Sequence, residues 1–492
     1  MNSADFFMTN ELPSSPVFID PAYQNFLEEQ KAVSDENLQS QRRHKKYRSA
    51  YEKRLFQVYQ FLVEPGRKVL ELGCGEASLL AALRPSVGVG VDFNEKHLET
   101  ARKKNPQFTF LNAAIDEITI NETFDVIILS DIVNDLWNIQ EVLRRCRAMS
   151  HRGTRIIINC FNRVWQPLLT LVRSFGLARP VAVQNWVTPE DMENLLRLAG
   201  FEVIRSWGEI LWPLWTPLLG AFLNSYLVKI WPFNLVALTN FIVARPIFAT
   251  NSTKPTVSVI VPARNEAGNI ESIIRRVPEM GGGTEIIFVE GHSRDQTYEV
   301  IVETLKKYPG RNCQLFQQIG KGKGDAVRLG FQEATGDILM ILDADLTVVP
   351  EDLPYFYEGI ASGTGEFING VRLVYPMEKN AMRFANLIAN RFFSLAFSYL
   401  LGQKIKDTLC GTKVLWRKDY PRFQATRAWF GDFDPFGDFD FIFAAAKLNL
   451  RLVDLPIRYR ERTYGTTNIQ RWRHGVLLLR MVLFAARRIK FT

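Results

Sequence analysis

The sequence predicts an α/β chain folded as two doubly wound units in tandem, and three observations carry that prediction. The chain has 492 residues, enough for two to four domains at about 150 residues each. Short apolar runs alternate with helical patterns twice over, once across 46–248 and again across 256–492, as in parallel sheets covered by helices. Between the two series lies ATNSTKP, residues 249–255, a polar linker closed by a proline. A hydrophobic fraction of 47% with 23% charged residues supplies an ordinary core for each unit.

Residues 1–45 begin MNSADFFMTN, stay polar, and run into the basic stretch QRRHKKYR at 41–48. With no basic start and no long apolar stretch, this segment reads as a polar tail and not as a secretory leader. The five cysteines, Cys74, Cys146, Cys160, Cys313 and Cys410, are scattered without a C-x-x-C pair. That argues against a zinc site or a disulfide framework and suits a reducing compartment.

In the first unit, RKVLELGCGEASLLAAL gives a strand from Lys68 to Leu72, a glycine turn, and a helix from about Ala77. Gly73 and Gly75 let a ligand approach the backbone, and the helix amino end favours polar or anionic groups. The next strand, VGVGVDF, ends in Asp92, and an acid there typically takes the hydroxyls of a ribose. ELGCG, VDFNEKHLETA, NAAIDEI, FDVIILSDIVNDLWNIQEVL and TPEDMENLLRLAGFEVI follow in order. Together, from Tyr51 to Arg245, they resemble the class I S-adenosylmethionine methyltransferases. The resemblance implies a Rossmann-like domain that holds S-adenosylmethionine through Glu71, Gly73, Cys74, Gly75, Asp92, Phe93 and Ser130, with Asp116 and Glu117 at the adenine. No histidine follows the fourth strand. Asp131 and Asp135 stand there instead, as candidate bases or as helix caps.

The second unit opens with VSVIVPARNEAGNIESIIRRV, then EIIFVEGHSRDQTYEVI, whose strand ends in Glu290, then the turn GKGKG before a helix. The run DILMILDADLTVVPEDL follows. Ile338 to Leu342 read as a buried strand, so Asp343 and Asp345 emerge together at its carboxyl end. Ligands of open α/β sheets bind at such ends. Two adjacent carboxylates there call for a cation, and a hard divalent ion, Mg²⁺ or Mn²⁺, would add diphosphate oxygens to them.

From about Lys254 onward these motifs resemble the family-two glycosyltransferases of the GT-A fold, in particular the polyprenyl-phosphate hexose synthases. The resemblance implies a nucleoside diphosphate sugar donor held by Pro262, Arg264, Glu266, Glu290, Lys323, Asp343 and Ala344, with the metal on Asp343 and Asp345. IKDTLCGTKVLWRKDY, 405–420, is similar to the family's D-T-x-C-G segment and brings Asp407 and Lys413 to the acceptor. FGDFDF carries Asp438 and Asp440, where relatives acting on sugar hydroxyls keep a general base. Arg458, Arg460 and Arg462 follow, and arginine forks grip phosphate oxygens bidentately. One departure stands out: Gly465-Thr466-Thr467-Asn468 replaces the family's G-x-S-K, so an expected phosphate-binding lysine is missing. Both a lipid phosphate and a sugar hydroxyl remain open as acceptors.

Charge points to an anionic partner. From Arg458 to Lys490 nine Lys/Arg face one acid, Glu461, an excess equal to the chain's net charge of +8. The basic residues are interleaved with GVLLLRMVLFAARR, and Arg473, Arg480 and Arg487 recur every seven residues. This is the pattern of a helix on an anionic membrane surface, not of a nucleic-acid patch. A second amphipathic stretch, 381–402, carries Arg383, Asn386, Asn390 and Ser394 as a polar edge. Its apolar run is shorter than the about 20 residues needed to span a bilayer. LWPLWTPLLGAFLNSYLV, 211–228, is uncharged, but Pro213 and Pro217 disfavour a simple spanning helix. The expectation is therefore a bifunctional enzyme at the cytoplasmic face of a membrane. Its C-terminal half moves a hexose, with inversion, to a polyprenyl phosphate or membrane-linked glycan. Its N-terminal half methylates an acceptor in the same pathway or serves as an S-adenosylmethionine-binding module.

Overall fold

The computed structural model describes residues 21–175, 181–249, 254–375, 384–430, 437–462, 464 and 471–491, with 37–49, 384–388 and 471–475 described by backbone alone. Two seven-stranded mixed sheets follow one another along the chain. The first contains β1 (Lys68–Leu72), β2 (Val87–Asp92), β3 (Thr109–Asn112), β4 (Phe124–Ser130), β5 (Ser150–Phe161), β6 (Phe201–Glu209) and β7 (Thr239–Pro246). Their order is β3-β2-β1-β4-β5-β7-β6, parallel except for β7, which runs antiparallel to both neighbours. The second contains β8 (Val257–Ala263), β9 (Thr284–Glu290), β10 (Cys313–Gln317), β11 (Ile338–Ile341), β12 (Phe367–Val371), β13 (Lys413–Trp416) and β14 (Leu452–Pro456). Its order is β10-β9-β8-β11-β13-β12-β14, with β13 antiparallel to β11 and β12.

The central strands are continuous Val/Ile/Leu runs because helices cover both of their faces. Val69, Leu70 and Leu72 of β1, and Ile127 to Leu129 of β4, are fully buried, as are Val259 to Val261 of β8 and Ile338 to Met340 of β11. In each sheet the chain reverses direction of growth beside the first strand, between β1 and β4 and between β8 and β11. The crevices outside those strand ends are where ligands of such sheets bind.

Two expectations are revised, for 21–45 and for 381–402. The stretch 21–45 is not a free tail but part of one helix, Pro21–Leu62. Its polar side chains bind the first sheet: Asn94 Nδ2 donates to Ser34 Oγ (2.9 Å) and Asp35 Oδ1 (3.0 Å), and Phe26 packs on Trp137 with centroids 5.3 Å apart. In the helix Phe384–Leu401 the polar edge turns inward. Asn390 is buried and Ser394 Oγ donates to the Ile405 carbonyl at 2.6 Å, leaving Phe392, Leu395 and Tyr399 exposed. Arg458, Arg460 and Arg462 all lie beyond β14. The run 211–228 forms only a short helix, Leu219–Ser225, beside exposed Trp215 and Leu218. Among the described residues no helix is long and apolar enough to cross a membrane. Arg383, the side chains of Asn386 and Arg473, most of the linker and Gly465–Asn468 lie outside what is described.

The two units meet along an ionic seam. Arg155 of β5 pairs with Glu366 (2.7 Å) and donates to the Asn449 carbonyl (2.7 Å). Arg245 of β7 donates to the carbonyls of Gly363 and Thr364, and Arg422 pairs with Glu64 at 2.8 Å. Burial alone would raise the Glu366 carboxyl, but Arg155 and Arg245 outweigh it and hold it below the usual carboxylate range.

Candidate active sites

The first crevice is built by the turn after β1. Gly73 (φ 75°) and Gly75 (φ 53°) adopt the left-handed region that favours glycine. A side chain at Gly73 would meet Ile132 at 3.0 Å, so the turn lies close beneath the loop after β4. Asp92, ending β2, accepts from the Gly75 amide (2.9 Å) and the Asn94 amide (2.8 Å), which fixes its carboxylate at the mouth of the crevice. Glu71 is buried inside β1, accepts from the Leu80 amide (3.1 Å), and is pushed up to about 8 by burial and by nearby Asp92. Cys74 is buried and its thiol is pushed far up by burial, which makes it a packing residue and not a nucleophile. Asp116 accepts from the Asn138 amide (3.0 Å) and is raised by burial; Glu117 is exposed beside it. Phe93 is half-buried, and Ser130 ends β4 in register with Asn159.

Sequence reasoning missed the roof of this crevice. Tyr51, from the long amino-terminal helix, donates to Asp131 Oδ1 at 2.8 Å, and Asn159 donates to the same oxygen at 2.5 Å. Tyr59 in turn donates to Asn159 Oδ1 at 2.6 Å. Asp131 itself takes a left-handed backbone (φ 56°), a strained conformation for a non-glycine residue. Asp135, four residues on, accepts from Gln184 Nε2 at 2.8 Å and is raised by burial. The spacing of aromatics in a polar helix gave no signal for Tyr51 or Tyr59.

In the second crevice, β11 delivers Asp343 and Asp345 opposite the end of β8. Lys323 Nζ lies 2.6 Å from Asp343 Oδ1 and 3.8 Å from Asp438 Oδ1, and Lys413 Nζ reaches Asp438 at 3.8 Å. Burial works against the Lys323 charge, but Asp343 and Asp438 outweigh it and hold the ammonium above its ordinary range. Asp345 Oδ1 accepts from the Thr347 amide (3.1 Å) and hydroxyl (2.7 Å), while Oδ2 pairs with Arg462 at 2.6 Å. Arg462 also reaches Glu266 Oε1 at 3.1 Å. Glu266 is pushed up to about 7 by burial, which outweighs the opposing charge of Arg462, with Asp345 and Asp295 adding to the rise. Glu290 ends β9 in register with Ala263; burial would raise it, but the Ser293 amide (2.6 Å) and Gln317 hold it low. Pro262 lies in β8, Arg264 is exposed just beyond it, and Ala344 is buried between the two aspartates.

Two sequence-selected residues have a structural role. Asp407 is fully buried and takes a bidentate fork from Arg372 (2.7 and 2.8 Å); Arg372 overrides burial and holds it low. Lys413, also fully buried, donates to the Cys410 carbonyl at 2.6 Å and to Asn369 at 3.2 Å. Both therefore brace the 407–413 loop against the crevice. Asp440 points away, toward Arg328 and Arg427, each at 3.8 Å. The arginine trio is not a cluster: Arg458 lies over the Tyr375 ring (5.4 Å), and Arg460 is exposed near Glu351 and Asp352. Only Arg462 enters the site. Gly411 was not singled out, yet a side chain there would strike Asp343 and Lys323.

Comparison with known proteins finds a family match in each half of the chain. Residues 44–206 match the family model "Methyltransferase domain", and residues 258–422 match "Glycosyl transferase family 2". The chain carries a methyltransferase domain followed by a family 2 glycosyltransferase domain. The glycosyltransferase half is 38% identical over 110 residues to the dolichol-phosphate mannosyltransferase of Pyrococcus furiosus, covering 22% of this chain and 31% of that protein. It is 25% identical over 228 residues to glycosyltransferase AglJ of Haloferax volcanii, covering 46% and 70% respectively. The chain thus spans under a third of the mannosyltransferase's length. The methyltransferase half is similar to a solved SAM-dependent methyltransferase, possible histamine N-methyltransferase, of Thermotoga maritima: 15% identity, TM-score 0.34, 44% of this chain and 99% of that one.

Proposed function

We propose that the glycosyltransferase domain moves a hexose, with inversion, from a nucleoside diphosphate sugar to a polyprenyl phosphate. The observation that carries this is the meeting of Asp343, Asp345, Lys323, Asp438 and Arg462 at the end of β11, in a chain whose relatives include a dolichol-phosphate mannosyltransferase. Asp343 and Asp345 supply hard oxygen donors at one strand end, which suits Mg²⁺ or Mn²⁺. When bound, such an ion offsets charge developing on the leaving diphosphate. Lys323 and Arg462 balance the two carboxylates and are placed to contact the donor's phosphates. Glu290, held ionised, suits a hydroxyl or base edge of the nucleoside. A phosphate acceptor arrives deprotonated, so the transfer needs no strong base. A sugar-hydroxyl acceptor would need one, and Asp438 is then the better placed of the two candidates, since Asp440 points elsewhere.

Peripheral membrane attachment belongs to the same reading. The exposed flank of the carboxyl-terminal helix, Arg471–Ala485 continued by a π turn over Ala486–Lys490, presents Val476, Leu479 and Leu483 with Arg480 and Arg487, while Leu478, Met481 and Ala485 pack inward. An apolar face edged by arginines matches the acyl boundary and anionic headgroups of a membrane.

The methyltransferase domain, in this reading, binds S-adenosylmethionine over the Gly73–Gly75 turn and methylates an acceptor on the same glycan pathway. Asp131, oriented by Tyr51 and Asn159, and Asp135, raised by burial, are the candidate proton acceptors.

Separate inactivation tests the two assignments. Asp345→Ala should abolish Mn²⁺-dependent turnover of nucleotide sugars and leave S-adenosylmethionine binding intact. Gly73→Val should do the reverse, since it fills the turn against Ile132. Loss of both activities in either variant, with the fold retained, contradicts the two-site reading.

A further inference from the structure

A third site lies on the seam between the two domains, away from both crevices. It is a cavity of about 340 Å³ set apart by the charge of its lining. Arg54, Arg205, Lys229 and Lys490 line it, and among the described residues Glu209 is its single carboxylate. Arg54, Arg205 and Lys229 come from the methyltransferase side, and Lys490 from the end of the carboxyl-terminal helix. Glu209 is already saturated: Arg54 pairs with one oxygen at 3.3 Å, and Lys229 and the Trp207 indole N–H (2.9 Å) take the other. Arg205 stacks 4.8 Å over Trp207 and donates to Asn449 Oδ1, while its buried Nε has no hydrogen-bond partner. Lys490 lies 4.5 Å over the Tyr399 ring and, among the described residues, pairs with no carboxylate.

We propose that this cavity binds a phosphate or diphosphate group, which spans the seam and couples the two domains. Among the described residues Arg205 and Lys490 have no carboxylate partner; uncompensated cations are costly to bury, and an anion with several oxygens is the complement that satisfies a guanidinium and an ammonium group at once. The charges press on one another in the expected sense. Burial lowers Arg205 to about 10, and burial with Arg205 lowers Lys490 to about 8. Burial and the cations Arg54, Lys490 and Arg205 push Lys229 well below its ordinary value. The group belongs either to a free diphosphate or to the headgroup of a membrane lipid, since the exposed apolar residues Leu395 and Leu483 lie on the helices that flank the seam.

Calorimetric titration of the full chain with inorganic pyrophosphate, in chelator and at fixed ionic strength, tests the proposal. Binding is expected in the wild type and in Lys323→Gln, and at least tenfold weaker binding in Arg205→Gln and in Lys490→Gln. Using two seam variants from different domains guards against one of them failing to fold. A parallel arm measures binding to nanodiscs of phosphatidylglycerol against phosphatidylcholine. A phosphatidylglycerol preference that Arg205→Gln removes identifies a lipid headgroup; pyrophosphate binding without that dependence identifies a free diphosphate. Absence of both, or equal binding by wild type and seam variants, overturns the site.

Discussion

Gly411→Ala is a one-carbon perturbation aimed at the centre of the glycosyltransferase site. The backbone at Gly411 does not require glycine, so the cost of the methyl is steric. It would lie 2.6 Å from Asp343 Cγ and nearer still to Asp343 Oδ2 and Lys323 Nζ, where ordinary contact begins at 3.4 Å. The Asp343 carboxylate must retreat by the better part of an ångström, and the 2.6 Å contact from Lys323 must break or turn. Loss of a hydrogen bond to a charged group costs about 1.5–3 kcal/mol, and a misplacement of about 1 Å at a reacting centre costs about 10² in rate. Gly411→Ala should therefore lower kcat/KM for hexose transfer by about 10- to 100-fold, while melting within a few degrees of wild type. Gly310→Ala, where the added carbon meets open space, is the matched control. Kinetics across nucleotide-sugar and Mn²⁺ concentrations would measure both. Unimpaired transfer by Gly411→Ala would refute the placement of Asp343 and Lys323 around the donor.

Two further outcomes follow from the charges. Glu71 rests at about 8 in the folded chain against its usual 4.5, so the native state keeps a proton that the unfolded chain releases. Stability from this group is present at low pH and is lost as pH rises from about 4.5 through about 8; wild-type Tm should fall over that window, and Glu71→Gln should flatten the fall. Replacing the exposed Arg480 and Arg487 with glutamine should weaken binding to anionic vesicles by about 2 kcal/mol, roughly thirtyfold, and added salt should do the same to the wild type. Vesicle binding unchanged by either would remove the carboxyl-terminal helix from the membrane.

The fold was legible because its strands announce themselves. Continuous apolar runs ending in Leu72, Leu129, Val261 and Leu342 admit few arrangements other than buried parallel strands, and glycine turns or acids mark their ligand ends. What the sequence could not disclose are the contacts made across long separations. Tyr51 meets Asp131 only because a helix read as part tail folds back over the sheet. Three arginines spaced two apart looked like one phosphate grip, but the chain leaves the sheet before Arg458 and scatters them, so that Arg462 alone reaches Asp345. Asp407 carries motif identity without entering the crevice, and Lys413 meets it at Asp438 alone, since both are spent on bracing the loop that brings Gly411 to Asp343. The inward polar edge of helix Phe384–Leu401 was inverted for the same reason: its serines serve the Ile405 carbonyl, a partner that only the tertiary fold supplies.

The acceptor decides which chemistry the second crevice performs. Purified chain should be incubated with a panel of nucleoside diphosphate hexoses, Mn²⁺, and either a polyprenyl phosphate or the corresponding dephosphorylated polyprenol, with products read by mass. A hexose added to the polyprenyl phosphate, absent with the polyprenol and absent in Asp345→Ala, is the predicted result. Transfer to a glycan hydroxyl in a lipid extract, with none to the polyprenyl phosphate, would contradict it and make Asp438 the base.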